Sequence, residues 1–496
     1  MGKRGLQHNA DDTIVAISTP VGEGGIGIVR LSGRQALSIA DRIFASKDGS
    51  KPSAYKTHTT HYGYIVKNRL SRTVLLRQAC LPAGKEVLRR TSTPPSANII
   101  DEVILTVMRA PKTYTKEDVV EINCHGGVVC LKRVLDLALN LGARLADPGE
   151  FTKRAFMNGR IDLTQAEAVL DIIRARTDLS MKLSMRQLEG GLSKRIKAIK
   201  ERLVDILSGL EAEIDFSEEE IVAGSERRAE DLLTDVSKEI EALIKGSRKG
   251  MILKEGIMCV ICGRPNAGKS SLMNAFLRRN RVIVTPMPGT TRDAIEEEVN
   301  LGDVPVRIVD TAGISHGKNI AEKHGISKSR SYMKMADIII FMLDLGRRWS
   351  KVDGEILNSI KDKNFIVVAN KSDLKRRLDL KRLRKLTGNS EVIEISLLRK
   401  TNLDSVEKLI LQKVWDGEIL QPEGHFVTSL RQKGRLSSAQ KSIKASLKGL
   451  SGRADVSPEI TASDIREAIF HIGSILGDSA DPDVLDRIFS KFCIGK

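Results

Sequence analysis

Long apolar segments and disulfide patterns are both missing from this sequence. Its longest apolar run, ADIIIFMLDL, is far too short for a membrane span, which needs about 20 residues. The amino-terminal stretch MGKRGLQHNADD lacks the apolar core of a secretory signal. The six cysteines are scattered among 496 residues instead of forming a disulfide framework. We therefore expect a soluble cytoplasmic protein with reduced thiols and no membrane partner.

Signals for lipid attachment are lacking too. Residue 6 is leucine, where N-myristoylation requires serine or threonine. Cys493 stands fourth from the carboxy terminus, as a prenylated cysteine does, but the ending FCIGK has glycine and lysine where that signal needs other residues. The pair Cys259-x-x-Cys262 lies in the apolar run IMCVICG, which favours a buried strand over a metal or redox site. Cys493 therefore needs an explanation from the rest of the chain.

The composition is strongly basic. Lys and Arg number 80 against 63 Asp and Glu, which gives a net charge of +17. Such a field raises the local concentration of nucleic acid, although a highly soluble protein without that partner would have the same composition. A length of 496 residues predicts about two to four domains.

Hydrophobic periodicity divides the chain into four segments. Residues 1–158 contain strand patterns such as DTIVAIST, IGIVRLSG, DEVILTVM and DVVEINCHG. Residues 159–248 are helical, strands and helices alternate over 249–418, and residues 419–496 are helical again. Because an α/β domain interrupts a helical region, we expect the helices on its two sides to pack together. The first predicted helix carries one apolar face, formed by Ala166, Val169, Leu170 and Ile173.

Residues 68–97 do not fit the surrounding strand pattern. They separate the strands HYGYIV and DEVILTVM, and they carry six basic residues against one acidic residue. Removing them would lower the net charge from +17 to +12. We interpret them as an inserted, partly disordered surface loop, because surface loops tolerate added length at little cost. A nucleic-acid role for this insert is the alternative.

A phosphate-binding loop follows the strand IMCVICG. Residues 263–270, GRPNAGKS, match G-x-x-x-x-G-K-[ST] and precede the helix SLMNAFL, the context that makes this motif specific. Backbone N–H groups of such a loop face phosphate oxygens, Lys269 supplies a positive charge to the β and γ phosphates, and Ser270 supplies a hydroxyl for Mg²⁺. The phosphate-binding residues are predicted to be Asn266, Ala267, Gly268, Lys269, Ser270 and Ser271.

Three further motifs define the nucleotide as GTP. Asn370-Lys371-Ser372-Asp373 is an N-K-x-D, in which the Asp373 carboxylate accepts hydrogen bonds from guanine N–H groups that adenine does not offer. Asp310-Thr311-Ala312-Gly313 is the D-x-x-G that senses the γ-phosphate, and Thr290-Thr291 supplies a switch threonine for Mg²⁺. The sequence therefore predicts a multidomain α/β protein, with a P-loop GTPase domain inserted in a discontinuous α-helical domain after an N-terminal α+β domain.

Ile314 follows the D-x-x-G motif, where Ras-like proteins have a glutamine that orients the attacking water. An isoleucine cannot orient water, so catalysis requires a partner or a more distant residue. Glu322 is available in the next segment, although its spacing fits a solvated helix residue equally well.

Two other patterns need a structural interpretation. GEGGIG, residues 22–27, formally matches the dinucleotide-binding G-x-G-x-x-G, but a strand pattern follows it instead of a helix. A tight glycine turn within a β-rich domain explains it better. Residues 431–453 carry seven basic and no acidic residues, with Leu436, Ala439, Ile443, Leu447 and Leu450 at helical spacing. That helix presents either a solvated basic face or an RNA-phosphate contact.

With these motifs in place, the chain resembles the tRNA uridine-modifying GTPases of the MnmE (TrmE) family over nearly its whole length. The resemblance includes DTIVAISTPVGEGGIGIVRLSG, PGEFTKRAFMNGRIDLTQAEAVLDII, GRPNAGKSSLMNAF, GTTRD, DTAGI and FCIGK. It implies that residues 1–158 bind folate and dimerise. It also implies an FAD-containing MnmG-type partner in a heterotetramer or larger complex. Together they place a carboxymethylaminomethyl or aminomethyl group on carbon 5 of the wobble uridine of certain tRNAs, using methylene-tetrahydrofolate.

The resemblance also implies a folate site and a role for the carboxy terminus. Arg30, Glu121, Arg160 and Lys496 fall at folate-contacting positions, with Arg160 where other members have lysine. FCIGK is expected to fold back on the pterin pocket and to place Cys493 near the modification chemistry. A place near the folate site would explain the position of Cys493 near the carboxy terminus, which no lipidation signal explains.

In this family the G domains of a dimer meet across their nucleotides, and K⁺ stands in for an arginine finger. Asn266 matches the asparagine that ligates potassium, and the backbone of Thr285, Met287 and Thr290 completes that site by resemblance. Thr291 aligns with the Mg²⁺ threonine, and Glu322 aligns with the glutamate that orients water. A cation held there offsets charge that develops between the β and γ phosphates.

Two departures from the family pattern leave alternatives open. The insert at 68–97 lengthens a connection in the folate and dimerisation domain, and a chain impaired by it would still turn over GTP. Ser396-Leu397-Leu398 replaces the usual Ser-Ala beside guanine, which we expect to weaken base contacts slightly. A regulatory GTPase that binds RNA or ribosomes is the competing functional class, and folate binding distinguishes the two.

Overall fold

The computed structural model of the chain describes residues 12–67, 98–215, 225–280, 296–310, 331–388, 390–415, 426–451 and 457–496. These residues belong to two compact units, Met1–Glu167 with Gly477–Lys496 and Ala168–Leu476. The predicted insert at 68–97 lies outside the described residues. Across the described ranges, no helix combines the length and apolarity that a membrane span requires.

The first unit is built on a mixed β-sheet. Its strands are β1 (Ile14–Ile17), β2 (Ile26–Ser32), β3 (Phe44–Ser46), β4 (Thr59–Val66), β5 (Ile99–Met108), β6 (Val119–His125) and β7 (Arg144–Leu145). They lie in the order β3-β4-β5-β6-β2-β1-β7, and neighbouring strands are antiparallel except for β1 and β7. The helices of this unit are α1 (Ala36–Ile43), α2 (Val128–Asn140), α3 (Glu150–Met157) and, after a long interval of sequence, α14 (Pro482–Phe489). The predicted strands of the amino-terminal segment are confirmed.

The glycine-rich stretch 22–27 is a connection between strands. Ile26 begins β2, which pairs with β1 on one side and β6 on the other. No helix follows the glycines within the described part of this region, so pyrophosphate would meet no helix N-terminus there. The strand predicted after the glycines is confirmed, but the connection between β1 and β2, residues 18–25, is longer than the tight turn that the sequence predicted.

One face of the first sheet packs against α1 and α2. Val29, Leu31, Leu105 and Ile122 alternate with more exposed residues along their strands, as expected for a sheet with one buried face. Ile39 of α1 and Val134 of α2 complete this core. Each fully buried side chain of this size stabilises the fold by about 1.5–3 kcal/mol through lost contact with water.

A cluster of charges ties the amino-terminal strand to α3. Glu150, whose side chain is buried, accepts hydrogen bonds from Arg144 and from Arg154, and both arginines also bind Asp12. Burial alone would raise the pKa of Glu150, but Arg144 and the Asp147 N–H lower it below its ordinary value. The carboxylate is therefore ionised and compensated within the unit.

The boundary between the units falls inside α4 (Leu163–Arg174). The long helices of the second unit are α5 (Asp178–Leu188), α6 (Gly191–Asp215), α7 (Ser225–Glu255), α12 (Leu430–Leu450) and α13 (Pro458–Leu476). A single apolar core is shared by α6 and α7, which precede the α/β segment, and by α12 and α13, which follow it. The packing expected from an interrupted helical region is therefore present. The predicted segment 419–496 is divided, because Gly477–Lys496 belong to the first unit.

The basic helix α12 buries the face that its sequence pattern indicates. Leu436, Ala439 and Ile443 are inaccessible to water. Near its amino-terminal end, Arg431 donates to the carbonyls of Ser474 and Ile475 at the end of α13, at 2.9 and 3.1 Å. One of the six basic residues of this helix therefore binds the carboxyl end of a neighbouring helix, where the helix dipole favours a cation.

The α/β part of the second unit is a mostly parallel sheet flanked by helices. Its strands are β8 (Ile257–Gly263), β9 (Glu296–Leu301), β10 (Val304–Asp310), β11 (Ile338–Asp344), β12 (Phe365–Asn370) and β13 (Val392–Glu394). They lie in the order β13-β12-β11-β8-β10-β9, with only the β9–β10 pair antiparallel in this part of the described chain. The flanking helices are α8 (Lys269–Asn280), α9 (Lys351–Ile360), α10 (Leu380–Leu386) and α11 (Leu403–Val414).

Buried strands at the centre of this sheet place the carboxyl ends of several strands at one edge. Every residue of β11 is buried, as expected for a parallel strand covered on both faces. Cys259 and Cys262 of β8 lie in these cores, and burial raises the pKa of both thiols, to about 12 for Cys262. Core packing, rather than metal binding, is the role of this pair. The strands β8, β10, β11 and β12 end beside one another with the residues that form the first candidate site.

Candidate functional site

The loop from β8 to α8 takes a conformation that depends on glycine and asparagine. Gly263 has φ +146°, and a β-carbon there would lie 2.2 Å from the Met342 carbonyl oxygen. Asn266 and Gly268 also have positive φ values, of 64° and 105°. Asparagine and glycine tolerate this region better than other residues. The sequence therefore forms a turn that leads directly into the amino terminus of α8, where backbone N–H groups favour an anion.

Lys269 is the first residue of α8, and its side chain returns across the loop. Its Nζ donates to the carbonyl oxygens of Gly263 and Arg264, both at 2.9 Å. Only 5% of this residue is exposed, and burial lowers the pKa of its ammonium group, against the opposing effect of the Asp310 carboxylate. A buried ammonium group at the amino terminus of a helix is suited to bind phosphate oxygens.

Ser270 and Asp310 bring two oxygen ligands together. The Ser270 hydroxyl donates to Asp310 Oδ2 at 2.5 Å, and Asp310 is 1% exposed at the end of β10. The neighbouring strands β8 and β10 are parallel, which places the start of α8 beside this carboxylate. Hydroxyl and carboxylate oxygens form the donor set that Mg²⁺ prefers.

The Asn370 side chain connects the phosphate loop to the guanine-side loop. Its Nδ2 donates to the Ala267 carbonyl at 2.9 Å, and its Oδ1 accepts from the Leu397 N–H at 3.3 Å. A β-carbon at Gly268 would lie 2.3 Å from Asn370 Nδ2, so glycine is required at that position. The loops that carry the two nucleotide motifs are therefore held together by one buried amide.

Lys371 and Asp373 are each paired with an acid or a hydroxyl. Lys371, at φ +69°, donates to Asp344 Oδ2 at 2.7 Å, and Asp344 is buried at the end of β11. Asp373 Oδ1 accepts from the buried hydroxyl of Ser396, which lowers the pKa of Asp373. Asp373 is therefore an oriented, ionised carboxylate that can accept N–H donors.

The two leucines that depart from the usual guanine-side sequence have different surroundings. Leu397 packs toward the phosphate loop, with its Cδ1 atom 3.2 Å from the ideal β-carbon position of Gly268. Leu398 is 83% exposed. The hydrogen bonds of Asn370 and Asp373 are both formed with this sequence.

Several predicted site residues lie outside the described ranges. They are Thr285, Met287, Thr290, Thr291, Thr311, Ala312, Gly313, Ile314 and Glu322. Of the residues predicted for the nucleotide, the structure brings together Lys269, Ser270, Asp310, Asn370 and Ala267 through the contacts above. Asn266 and Ser271 are exposed beside them.

A second candidate site lies in the first unit. Arg30 of β2 and Glu121 of β6 are directly paired in the sheet, and Arg30 Nε donates to Glu121 Oε1 at 2.8 Å. Arg30 Nη1 donates to the carbonyl of Gly495 at 3.1 Å, and its guanidinium lies 5.6 Å from the centre of the Phe151 ring. One arginine therefore binds the sheet, α3 and the carboxy-terminal residues.

Arg160 reaches the same helix through an aromatic ring. Its guanidinium lies 4.7 Å from the Tyr114 ring centre, and its Nη1 donates to the Tyr114 carbonyl at 3.2 Å. The Tyr114 hydroxyl is 2.9 Å from Thr152 Oγ1, and Thr152 is adjacent to Phe151 in α3. Arg30 contacts Phe151, and the partner of Arg160, Tyr114, contacts the next residue, Thr152. The two arginines are therefore connected through neighbouring residues of α3.

The carboxy-terminal segment packs against the amino-terminal strands. Gly495 has φ +92°, and a β-carbon there would lie 2.7 Å from the Ile17 carbonyl oxygen. The carbonyl of Cys493 accepts from the Gly149 N–H at 3.4 Å, while the Cys493 side chain is exposed. Phe489 and Phe492 are buried and anchor the segment. We name residues 489–496 the tail; it leaves one exposed thiol at the surface of the first unit.

Three contributors were not anticipated from the sequence. Asp344 pairs with Lys371, and the signal available was its position at the end of an apolar strand, beside other strand ends. Tyr114 supports Arg160 from a segment without regular periodicity. The Gly495 carbonyl binds Arg30, and no sequence pattern indicates a backbone acceptor so far along the chain.

The phosphate loop, the Ser270–Asp310 pair and the guanine-side loop on a mostly parallel sheet define a P-loop GTPase, and the protein is a GTP hydrolase. Family models match residues 13–160 as the GTP-binding protein TrmE N-terminus and residues 163–493 as the MnmE helical domain. The chain belongs to the MnmE family of tRNA modification GTPases.

Relatives that span the full chain carry the same family name. The tRNA modification GTPase MnmE of Bacillus licheniformis is 42% identical over 98% of this chain and 100% of the relative. MnmE of Alkaliphilus metalliredigens is 42% identical (98% and 99% covered), and MnmE of Bacillus subtilis is 41% identical (98% and 100% covered). The solved structure of Era with MgGDPNP and 16S ribosomal RNA is 30% identical over 38% of this chain and 66% of that one, with a TM-score of 0.27. The family assignment depends on the full-length matches.

Proposed function

We propose that this chain is a K⁺-stimulated GTPase that modifies carbon 5 of the wobble uridine, U34, of certain tRNAs. An FAD-containing partner and methylene-tetrahydrofolate take part, and the product carries a carboxymethylaminomethyl or aminomethyl group. The observation that carries this proposal is the seating of the tail against Arg30 and Glu121 of the first sheet. A regulatory GTPase has no evident use for a tail that carries an exposed cysteine and binds an arginine paired with a glutamate.

The nucleotide half of the proposal assigns roles to the described residues. Lys269 and the N–H groups of the loop from Asn266 to Ser271 hold the phosphates, and Ser270 with Asp310 holds Mg²⁺, which screens phosphate charge when bound. Asn370, Lys371 and Asp373 hold guanine through N–H donors that match the oriented Asp373 carboxylate. Thr291, Thr311, Ala312 and Gly313 complete the phosphate and metal contacts in this proposal.

The cation that replaces an arginine finger is assigned to Asn266. This residue is exposed in the phosphate loop at φ +64°, so its side chain lies at the surface of the site. In the proposal, the K⁺ site is completed by the backbone carbonyl oxygens of Thr285, Met287 and Thr290. Glu322 orients the attacking water, because Ile314 offers no polar group for that step.

The folate-binding part of the proposal uses both acidic and basic side chains. The Glu121 carboxylate suits the N–H donors of a pterin, while the cationic side chains Arg30, Arg160 and Lys496 suit the glutamate carboxylates of a folate. Cys493, exposed on the tail, is available to the one-carbon unit or to the uridine ring. The donor set therefore fits a tetrahydrofolate derivative.

The proposal includes the partners that the family resemblance implies. FAD is carried by an MnmG-type flavoprotein, and this chain is a homodimer that joins it in a heterotetramer or larger complex. A net charge of +17 favours association with tRNA. We place the protein in the cytoplasm, where its tRNA substrate is found.

Mass spectrometry of tRNA nucleosides tests the proposal. The chain is incubated with the flavoprotein, methylene-tetrahydrofolate, glycine or ammonium, NADH, GTP and unmodified tRNA. A modified wobble uridine should form with the wild-type chain and with Lys361→Ala, an exposed lysine outside the site, but not with Lys269→Ala. Normal GTP hydrolysis without product would favour a regulatory GTPase or a folate domain impaired by the insert at 68–97.

A further inference from the structure

Two cysteines and an aspartate form a cluster in the first unit that the proposed function does not use. Asp101 lies on β5, Cys124 lies on β6, and Cys130 lies in the first turn of α2. Their sulfur and carboxylate oxygen atoms are all within 4.8 Å of one another. Among the residues that the structure describes, this is the one grouping of three such ligand atoms.

The Asp101 carboxylate is held in place by donors other than the thiols. Its Oδ1 accepts from His125 Nδ1 at 2.6 Å and from the Glu102 N–H at 2.9 Å. Its Oδ2 accepts from the His125 N–H at 2.8 Å and also from the Cys130 thiol at 2.9 Å. A carboxylate fixed by an imidazole and two backbone N–H groups keeps its orientation when the thiol proton is removed. The site is therefore preorganised around the sulfur atoms.

A tight turn holds the two sulfur atoms close together. Residues 125–129 separate Cys124 from Cys130, and a β-carbon at Gly126 would lie 2.3 Å from the Gly24 carbonyl oxygen. Cys124 is buried, Cys130 is half-buried, and the His125 side chain is 71% exposed. The cluster therefore has one enclosed ligand, one accessible ligand and an exposed imidazole at its edge.

The charge balance of the cluster favours a cation. Both sulfur atoms lie close to the Asp101 carboxylate, and the Cys130 thiol donates to it. Two thiolates beside a fixed carboxylate would place three negative charges within a few ångströms. A divalent cation offsets two of those charges, and its binding releases the two thiol protons.

We propose that Asp101, Cys124 and Cys130 bind a thiophilic divalent cation, with Zn²⁺ as the representative ion and solvent in the fourth position. Tetrahedral zinc with sulfur at about 2.3 Å and oxygen at about 2.0–2.2 Å places its ligand atoms about 3.5–3.8 Å apart. Side-chain adjustments of about 1 Å convert the present separations into that geometry. Paired thiolates favour zinc over the hard cations Mg²⁺ and Ca²⁺, which prefer oxygen ligands alone. His125 is a positioning residue that orients Asp101.

Cobalt and zinc titration of the full-length protein tests the site. Purified chain, reduced and freed of metal, is titrated with Co²⁺ under anaerobic conditions, and thiolate-to-cobalt charge-transfer absorption is followed. Zn²⁺ is then added in competition with a chromophoric chelator. We expect the protein to bind one equivalent of Co²⁺ with thiolate-to-cobalt charge-transfer absorption. One equivalent of Zn²⁺ should then displace the Co²⁺.

Variants separate the cluster from the other thiols of the chain. Cys130→Ala is the principal variant, because this half-buried residue lies in a helix where alanine is well accommodated. It should abolish the charge-transfer band and weaken Zn²⁺ binding by more than about 100-fold, whereas His125→Gln should weaken it by about 10–100-fold. Cys80→Ser and Cys493→Ser are matched thiol controls and should leave the stoichiometry at one. Circular dichroism checks that each variant is folded.

Three results would overturn the proposal. One is the absence of thiolate-to-cobalt charge-transfer absorption when the reduced wild-type protein is titrated with Co²⁺. The second is a band of equal strength in wild type and in folded Cys130→Ala. The third is a band that disappears with Cys493→Ser instead, which would assign the metal to the tail thiol.

Discussion

In the nucleotide site, short motifs at strand ends carry the assigned residues, and neighbouring strands of one sheet bring them together. In the first unit, Arg30 pairs with Glu121, 91 positions away, across neighbouring strands, and it also binds the carbonyl of Gly495 in the tail, 465 positions away. The first arrangement depends on local backbone conformation, such as the positive φ values of Asn266 and Gly268. The second depends on long-range packing. The two sites should therefore respond differently to substitution, and four predictions test that difference.

The largest effect is expected at the tail. Cys493→Ser should abolish formation of the modified uridine, because serine lacks a comparably nucleophilic group, while GTP hydrolysis is unchanged. Nucleoside mass spectrometry and phosphate release measure the two activities, with Cys80→Ser as the thiol control. Loss of both activities would indicate a structural role for the tail and would remove the functional distinction between the sites.

Asn266→Ala should come next in size. Wild-type GTP hydrolysis is expected to be faster in K⁺ than in Na⁺, and the variant should lose that stimulation, by about 10²–10³-fold if the cation stabilises developing charge. Rates in matched chloride salts measure the effect, and exposed Asn364→Ala is the control. Equal wild-type rates in the two salts would refute the assignment.

Asp373→Asn should weaken GTP binding by about 5–150-fold, the equivalent of about 1–3 kcal/mol. An amide cannot accept both guanine donors, and it also changes the bond with Ser396. Ser396→Ala should have a smaller effect in the same direction, because the carboxylate remains but loses its orienting donor. Titration with a fluorescent GTP analogue gives the affinities, and exposed Asp362→Asn should match wild type. Unchanged affinity in Asp373→Asn would move guanine recognition elsewhere.

The smallest effect is expected from Arg30→Lys. Lysine keeps the charge, but it cannot donate to Glu121 and the Gly495 carbonyl with the fixed geometry of a guanidinium. We expect about fivefold weaker binding of methylene-tetrahydrofolate, about 1 kcal/mol, with faster removal of the tail by carboxypeptidase. Arg42→Lys, an exposed position in the last turn of α1, is the control. A change in GTP affinity would contradict the local origin of this effect.

Sequence reasoning located much of the nucleotide site because its motifs occupy strand ends. The strand before the phosphate loop, the helix after it and the strand before N-K-x-D are all observed as predicted. The same reasoning identified the strands of the first sheet and the shared helical core. Local patterns succeed where neighbours in sequence are also neighbours in space.

Other features depend on contacts that periodicity does not reveal. Ile173 was predicted on the apolar face of α4, but it is 44% exposed, while Ala168 and Asp171 are buried. Lys254 of α7, far away in sequence, forms an ion pair with Asp171 at 2.8 Å. This positive charge allows an acidic residue to stand on the buried side of α4, where an apolar residue is expected. The cluster of Asp101 with Cys124 and Cys130 escaped notice for the same reason, since two strands and a helix contribute to it.

The division of the first unit between both ends of the sequence has a consequence for synthesis on the ribosome. Its sheet can form once residue 167 has emerged, but the segment from Gly477 onward emerges only after about 310 further residues. At about 5–20 residues per second, translation of that interval takes about 15–60 s. During this time Gly149 and Ile17 lack their tail contacts, and Arg30 lacks the Gly495 carbonyl. A nascent chain therefore acquires its GTPase domain before Cys493, and the proposed modification centre can form only after that domain has been synthesised.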